Sequence, residues 1–214
     1  VLAASGTAAL AVGVALQPSA RAAPDIPART SLSASEPRPE ASPGHASVSL
    51  GPAPARAEKS LGEPARPLRI EIPRVGLDAS VTPVGVGQDG SAQVPADPGL
   101  AGWYRFGPAP GEASGSAVLM GHVDSRSGDL GEFGALFDVR ADDTVLVRRD
   151  NAPPVSYRIT SRETVDKSEL PASAFARSGP PVLTLITCAS PYDPDKGGYL
   201  RNLVVTAVPF AGTG

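Results

Sequence analysis

From Pro67 onward the chain carries a strand-like pattern of apolar and polar positions. Leu68-Arg69-Ile70-Glu71-Ile72 alternates at every second residue, the period of a strand with one face buried. Ala79 to Val86 is a second candidate. Ala117 to Met120, Thr144 to Val147, Val155 to Val165, Val182 to Thr187 and Leu203 to Val208 are five more. Turn-forming clusters separate them: Gln88-Asp89-Gly90, Pro108-Ala109-Pro110-Gly111, Asp150-Asn151 and Ser178-Gly179-Pro180. Helical periodicity is scarce, with short turns expected around Glu132 to Val139 and Ser168 to Arg177. Many short strands with regular turns predict a mainly β domain over residues 67–211, built as a closed or nearly closed barrel. No internal repeat is present.

The pattern is different ahead of that domain. Val1 to Ser19 contains no charge, and Ala8 to Leu16 is apolar apart from Gly13. A membrane-spanning helix needs roughly 20 apolar residues, and this run reaches sixteen at most, Val1 to Leu16. Residues 1–20 therefore read as part of a membrane anchor or the apolar region of a signal peptide, with a candidate cleavage site in the small residues from Pro18 to Ala23. An Ala-rich core helix is the alternative, but no amphipathic partner segment follows it. Residues 21–66 are dominated by Pro, Ala, Ser, Arg and Glu, and ten of the 24 prolines fall between Pro18 and Pro67. No helical or strand period survives that spacing. A disordered, extended tether biased toward polyproline II is expected. His45 lies within it and is read as inert.

Composition narrows the function classes. The net charge of −3 argues against a nucleic-acid partner, which calls for a basic stripe. The single Cys in 214 residues excludes an intramolecular disulfide and a Cys-rich metal site. A lone thiol in a chain that reads as exported is buried and inert, paired with another chain, or reactive. Asp124, Asp129 and Glu132 are scattered and do not form a Ca²⁺-binding loop.

Three residues of the β domain carry candidate chemistry. His122 is its one His and Cys188 its one Cys, and each follows a predicted buried strand. Strand ends hold a side chain rigidly while leaving it open to solvent. Arg201 opens the last predicted strand, and the Pro-, Asp- and Gly-rich connection Ala189 to Leu200 is expected to fold back and bring it beside the thiol. In that arrangement a thiolate attacks, a His moves protons near neutrality, and a guanidinium donates to a developing oxyanion. Together they would perform acyl transfer through a thioester. Each residue also has a structural reading: a small buried hydrophobe, a hydrogen-bonded surface His and a solvated edge charge. Residue type and spacing leave both sets open. An L,D-transpeptidase is disfavoured because Leu185-Ile186-Thr187, not a Ser-His-Gly run, precedes Cys188. A papain-like peptidase is disfavoured because His122 precedes Cys188. A non-catalytic β-rich surface module with a structural thiol is the alternative from another class.

At these residues the sequence resembles the sortases, the Gram-positive surface-protein transpeptidases. Thr184-Leu185-Ile186-Thr187-Cys188 matches the family's Thr-Leu-x-Thr-Cys motif, Gly121-His122-Val123-Asp124-Ser125 its Gly-His context, and Arg201 its arginine at the start of the final strand. The Gly-His-Val-Asp-Ser form, Trp103-Tyr104 and Gly107-Pro108-Ala109-Pro110-Gly111 are similar to the actinobacterial class called F. In Gly198-Tyr199-Leu200-Arg201-Asn202 the Arg stands one position from that class's pattern. On a regular strand such a shift turns a side chain to the other face; the loop is expected to absorb it.

The resemblance implies a sortase-type barrel of about eight strands with one or two short helices, following the N-terminal tether. It implies that secreted proteins bearing a C-terminal Leu-Pro-x-Thr-Gly-like sorting signal are the substrates. Cys188 would attack the Thr carbonyl, Arg201 would hold the oxyanion, and His122 would protonate the leaving Gly amine. Thr187 and Thr184 would support the site. An amine of a peptidoglycan precursor, or another amine, would resolve the thioester. The enzyme would be a monomer without cofactors, held by its N-terminal segment on the outer face of the membrane, toward the cell wall.

Overall fold

The computed structural model describes residues 25–27, 64–88, 90–125 and 127–211. Eight strands form its frame: β1 Pro67–Ile72, β2 Leu77–Val84, β3 Leu100–Tyr104, β4 Ser116–Met120, β5 Thr144–Arg149, β6 Ala152–Asp166, β7 Val182–Asp193 and β8 Gly198–Pro209. They close into a barrel in the order β1-β2-β3-β4-β7-β8-β6-β5, with β1 returning to β5 in antiparallel register. Closure leaves no bare sheet edge, so a chain poor in helix can satisfy its backbone groups. The pairs β2–β3 and β4–β7 are parallel. Helical structure among the described residues is confined to short 3₁₀ turns, the longest at Glu132–Asp138, with others at Lys167–Glu169 and Ala172–Phe175.

The seven strands expected from the pattern are present. The eighth, β3, was not anticipated, for a physical reason. In Leu100-Ala101-Gly102-Trp103-Tyr104 the three central residues are all buried, so no polar–apolar alternation marks it. Gly102 packs so closely that an added Cβ would lie 2.8 Å from Pro95 and 2.9 Å from Val84.

Two apolar clusters flank the barrel wall. Ile70, Ile72, Leu77, Leu119, Phe133, Leu136, Leu183, Leu185, Leu203 and Val205 belong to the interior cluster. Val84, Val118, Met120 and Ile186 form a second, against which Tyr104, Leu170 and Phe175 pack. Neighbours along β4 alternate between the two, with Ala117 and Leu119 inward and Val118 and Met120 outward. All five residues of β4 are buried, which explains its unbroken apolar run. Buried polar groups are tied into the frame: Arg162 donates to the Phe137 and Val139 carbonyls at 2.7 Å each. Asp143 accepts from Arg74 at 2.6 Å and from the Arg140 backbone N–H at 2.6 Å. Burial pushes the Asp143 carboxyl up, but these hydrogen bonds outweigh it and hold it below the ordinary carboxylate range.

The apolar segment 1–20 and nearly all of the tether 21–66 lie outside the described residues. Within the tether, residues 25–27 are described: Ile26 forms an antiparallel bridge with Arg162 of β6. Two backbone hydrogen bonds make it, of 2.7 and 3.1 Å. Among the described residues no helix is long and apolar enough to cross a membrane.

Candidate active site

Parallel pairing of β4 and β7 fixes the first part of the site. The register runs from Ser116↔Val182 to Met120↔Ile186, so Gly121-His122 leave the end of β4 alongside Thr187-Cys188, which continue β7. Two hydrogen bonds continue the pairing past β4: Gly121 N–H donates to the Ile186 carbonyl at 3.2 Å, and the Thr187 hydroxyl donates to the Gly121 carbonyl at 2.9 Å. Lower on the same junction, the buried Thr184 and Ser116 hydroxyls bond to each other at 2.8 Å. Both threonines thus fasten β7 to β4, below and beside the thiol.

Only glycine fits ahead of His122. A Cβ at Gly121 would lie 2.6 Å from the ring of Phe133, which is fully buried, and a Cβ at Gly131 would lie 2.4 Å from the His122 carbonyl oxygen. The glycines let the 3₁₀ turn 132–138 press against the strand end that carries the His. The imidazole is then oriented by the β2–β3 connection. Nε2 lies 2.8 Å from the Pro95 carbonyl oxygen; a carbonyl can only accept, so Nε2 carries the proton. In the neutral ring Nδ1 is the site left to take up a proton.

Cys188 is half-buried and opens into a groove of about 570 Å³ on the outer side of the barrel wall, within the usual range for a ligand site, about 300–1,000 Å³. The walls are mostly apolar, with Val86, Tyr104, Met120, Leu170, Phe175 and Ile186 among the lining residues. The 3₁₀ turns that follow β6 and the segment after β2 cover the second apolar cluster and so form the groove. Burial and two charged neighbours act on the thiol. Burial pushes it up from its ordinary value, Lys167 pulls it down, and Asp124 pushes it up again. Asp124 also accepts a short hydrogen bond from the Tyr199 hydroxyl. Burial, that hydrogen bond and the carboxylate's charge push the Tyr199 phenol up to about 12, so it remains a donor throughout the neutral range. Tyr192 meets Tyr199 edge to face at a centroid distance of 5.0 Å.

On the β8 side the outcome differs from the expectation. β7 does not end at Thr187 but runs to Asp193, with an irregularity between Ala189 and Tyr192. The connection expected to be a loop is a hairpin turned by Pro194–Lys196, with Gly197 in the left-handed region at φ 85°. This hairpin sets Cys188 opposite Asn202 and Ala189 opposite Arg201. The structure therefore does not bring Arg201 beside the thiol. Its guanidinium Nε donates to Asp166 at 2.9 Å, half exposed to solvent, on the face it shares with Ala189. The one-residue displacement is kept by a regular strand. Asn202, which the sequence reading passed over, lines the groove with Cys188, as does Lys167. Asn202 could have been found by counting back from a hairpin; Lys167 has no signal in a single sequence.

Among the described residues no group of His, Cys, Asp and Glu could hold a metal ion. The arrangement that is present, a half-buried thiol in an apolar groove with an oriented imidazole carried by the neighbouring strand end, suits attack on a carbonyl within an extended, mostly apolar peptide.

Comparison with known proteins gives this geometry a context. The family model described as "Sortase domain" matches residues 70–210. Among solved structures, sortase C1 from Streptococcus agalactiae is similar at 20% identity and a TM-score of 0.53, over 68% of this chain and 67% of that one. Sortase C-1 from Actinomyces oris is similar at 22% identity and a TM-score of 0.51, over 70% and 74%. No curated protein matches the chain.

Proposed function

From the premise that the chain belongs to the sortase family of cysteine transpeptidases, we propose that it cleaves an LPXTG-like sorting signal between Thr and Gly and passes the acyl group to an amine of a cell-wall precursor. The observation that carries this reading is the placement of Cys188 in the groove, two residues past the last β4–β7 rung, Met120↔Ile186, with His122 two residues past the same rung on the β4 side. The apolar walls suit the Leu and Pro of such a signal, bound extended so that the Thr carbonyl reaches the sulfur.

The chemistry follows from the residues present. The Cys188 thiolate attacks the Thr carbonyl carbon and forms a C–S bond, and the carbonyl electrons move to oxygen. As the tetrahedral centre collapses the C–N bond to Gly breaks, and the leaving amine takes a proton from the His122 imidazolium. An incoming amine then attacks the thioester and gives up a proton to His122, and the thiolate departs. Arg201 is the proposed oxyanion donor. To act it must exchange Asp166 for the substrate, and an exposed ion pair of this kind holds it by only about 0–1 kcal/mol. Thr187 and Thr184 support the site through the β4–β7 junction.

Residues 67–211 form the proposed catalytic domain, with residues 1–20 as anchor or signal segment and 21–66 as spacer, on the outer face of the membrane and working as a monomer. The motifs Gly121-His122-Val123-Asp124-Ser125 and Trp103-Tyr104 favour the class F subgroup. The test is incubation of the full chain with fluorescence-quenched Leu-Pro-x-Thr-Gly peptides, with and without added amines. Cleavage at Thr–Gly that disappears in Cys188→Ala is the expected result. No cleavage over a panel of related signals would overturn the substrate assignment, and cleavage retained in Cys188→Ala would overturn the nucleophile.

A further inference from the structure

Two rows of side chains cross the end of the barrel, one on each face. Asp166, Arg201 and Ala189 pair in succession across β6, β8 and β7, and Val165, Asn202 and Cys188 pair in the row beside them. Directly paired residues share a face. The first row consumes its charges internally, through the Arg201–Asp166 ion pair. In the second row alternation carries forward from Val165 to Lys167, two residues on, and Lys167 lines the groove together with Asn202 and Cys188. Among the described residues no carboxylate pairs with Lys167: Asp166 is held by Arg201, and Asp124 by Tyr199.

We propose that Lys167 is the cation that favours the thiolate of Cys188 before substrate arrives, a positioning role separate from the oxyanion contact assigned to Arg201. Two other titratable groups, Asp124 and Tyr199, interact with the thiol, and His122 is carried by the neighbouring strand end. His122 and Asp124 follow β4, and Tyr199 lies on β8. Tyr199 stays protonated, and Asp124 opposes ionisation of the thiol, as burial does. Lys167 is the neighbour whose charge works the other way. An ammonium at the groove mouth acts through solvent and is screened by salt, so its effect is modest and sensitive to ionic strength. The inference deepens the transpeptidase reading and takes its purpose from it, but the thiol can be read without any substrate.

Cys188 is the chain's single Cys, so alkylation by iodoacetamide reports on it alone. The pH dependence of the alkylation rate is to be measured on the full chain, as Lys167→Met, Lys167→Arg and Arg201→Ala beside the unmodified protein. Lys167→Met should move the midpoint to higher pH and slow alkylation at pH 7 about three- to tenfold. Lys167→Arg should keep the original midpoint, Arg201→Ala should move it less than Lys167→Met, and 1 M NaCl should remove most of the difference. Coincident profiles for Lys167→Met and the unmodified protein would overturn the role. So would a slowing that is uniform in pH and indifferent to salt, since that marks a steric effect. A shifted profile in a protein that cleaves no sorting peptide would leave Lys167 standing and remove only the substrate reading.

Discussion

β7 joins β4 along one edge and β8 along the other, and the two junctions are built in opposite ways. Against β4 the rungs are parallel, buried on both faces and locked by the Ser116–Thr184 and Thr187–Gly121 hydrogen bonds. A slip of one residue there would drive Val118 and Ile186 into the interior and pull Leu119 and Leu185 out of it, so the register has a single solution. Against β8 the last rungs stand at the rim, where Arg201 and Asp166 are about half exposed and little apolar surface decides which side chain faces which way. Register at that end is set by the hairpin turn at Pro194–Lys196. Cys188 and His122, the proposed nucleophile and proton carrier, therefore sit on the rigid junction and the proposed oxyanion donor on the adaptable one.

That contrast can be tested. The largest effect is expected on the rigid side: His122→Ala should lower peptide cleavage by about 10²–10⁴-fold, the range for losing a general acid–base group, and a loss under tenfold would detach His122 from the chemistry. Arg201→Ala comes next, at about 10²–10³-fold in turnover if the guanidinium crosses to the substrate. A loss under fivefold would mean that it stays with Asp166, and the β8 junction would then be as fixed as the β4 one. Gly121→Ala probes the packing that presses the turn 132–138 against His122. Its Cβ would force Phe133 to move, destabilising the fold by about 1–3 kcal/mol in denaturant titration and lowering turnover by up to about 10²-fold through misplacement of the imidazole. The smallest effect belongs to Asp124→Asn. Removing a carboxylate that pushes the thiol up makes thiolate more abundant at neutral pH, so alkylation at pH 7 should quicken about two- to threefold. No change would place the Asp124 charge out of reach of the sulfur.

The same contrast explains what could be read from the sequence. β4 and β7 were legible because burial on both faces writes an unbroken apolar run, and β6 because its pattern is long. Cys188 and its threonines were legible through a motif whose members each hold the β4–β7 junction or line the groove. β3 was hidden by its small residues and lack of alternation. The aim of Arg201 was hidden because it depends on whether Ala189 to Leu200 is a loop or a hairpin. Pro191 and Pro194 argued for a loop, yet Pro191 falls where the pairing is already interrupted, between Ala189 and Tyr192, and Pro194 begins the turn itself. The place of Lys167 was hidden because it lines the groove with Cys188 of β7 and Asn202 of β8, whose residues lie far along the chain.

The bridge at Ile26 bears on how the barrel would carry load. Beyond Ile159, which still pairs its backbone with Asp142 and Asp143, β6 has passed the end of β5, and Ile26 supplies the rung that Arg162 would otherwise lack on that side. A pull arriving along the chain from ahead of Asp25 thus meets the domain first at β6, through two backbone hydrogen bonds, and reaches β1 only after they part. The strand that takes the first strain is the one that ends at Asp166, the partner of Arg201, and leads into Lys167. Tension on the N-terminal segment and the geometry at the thiol are joined through a single strand.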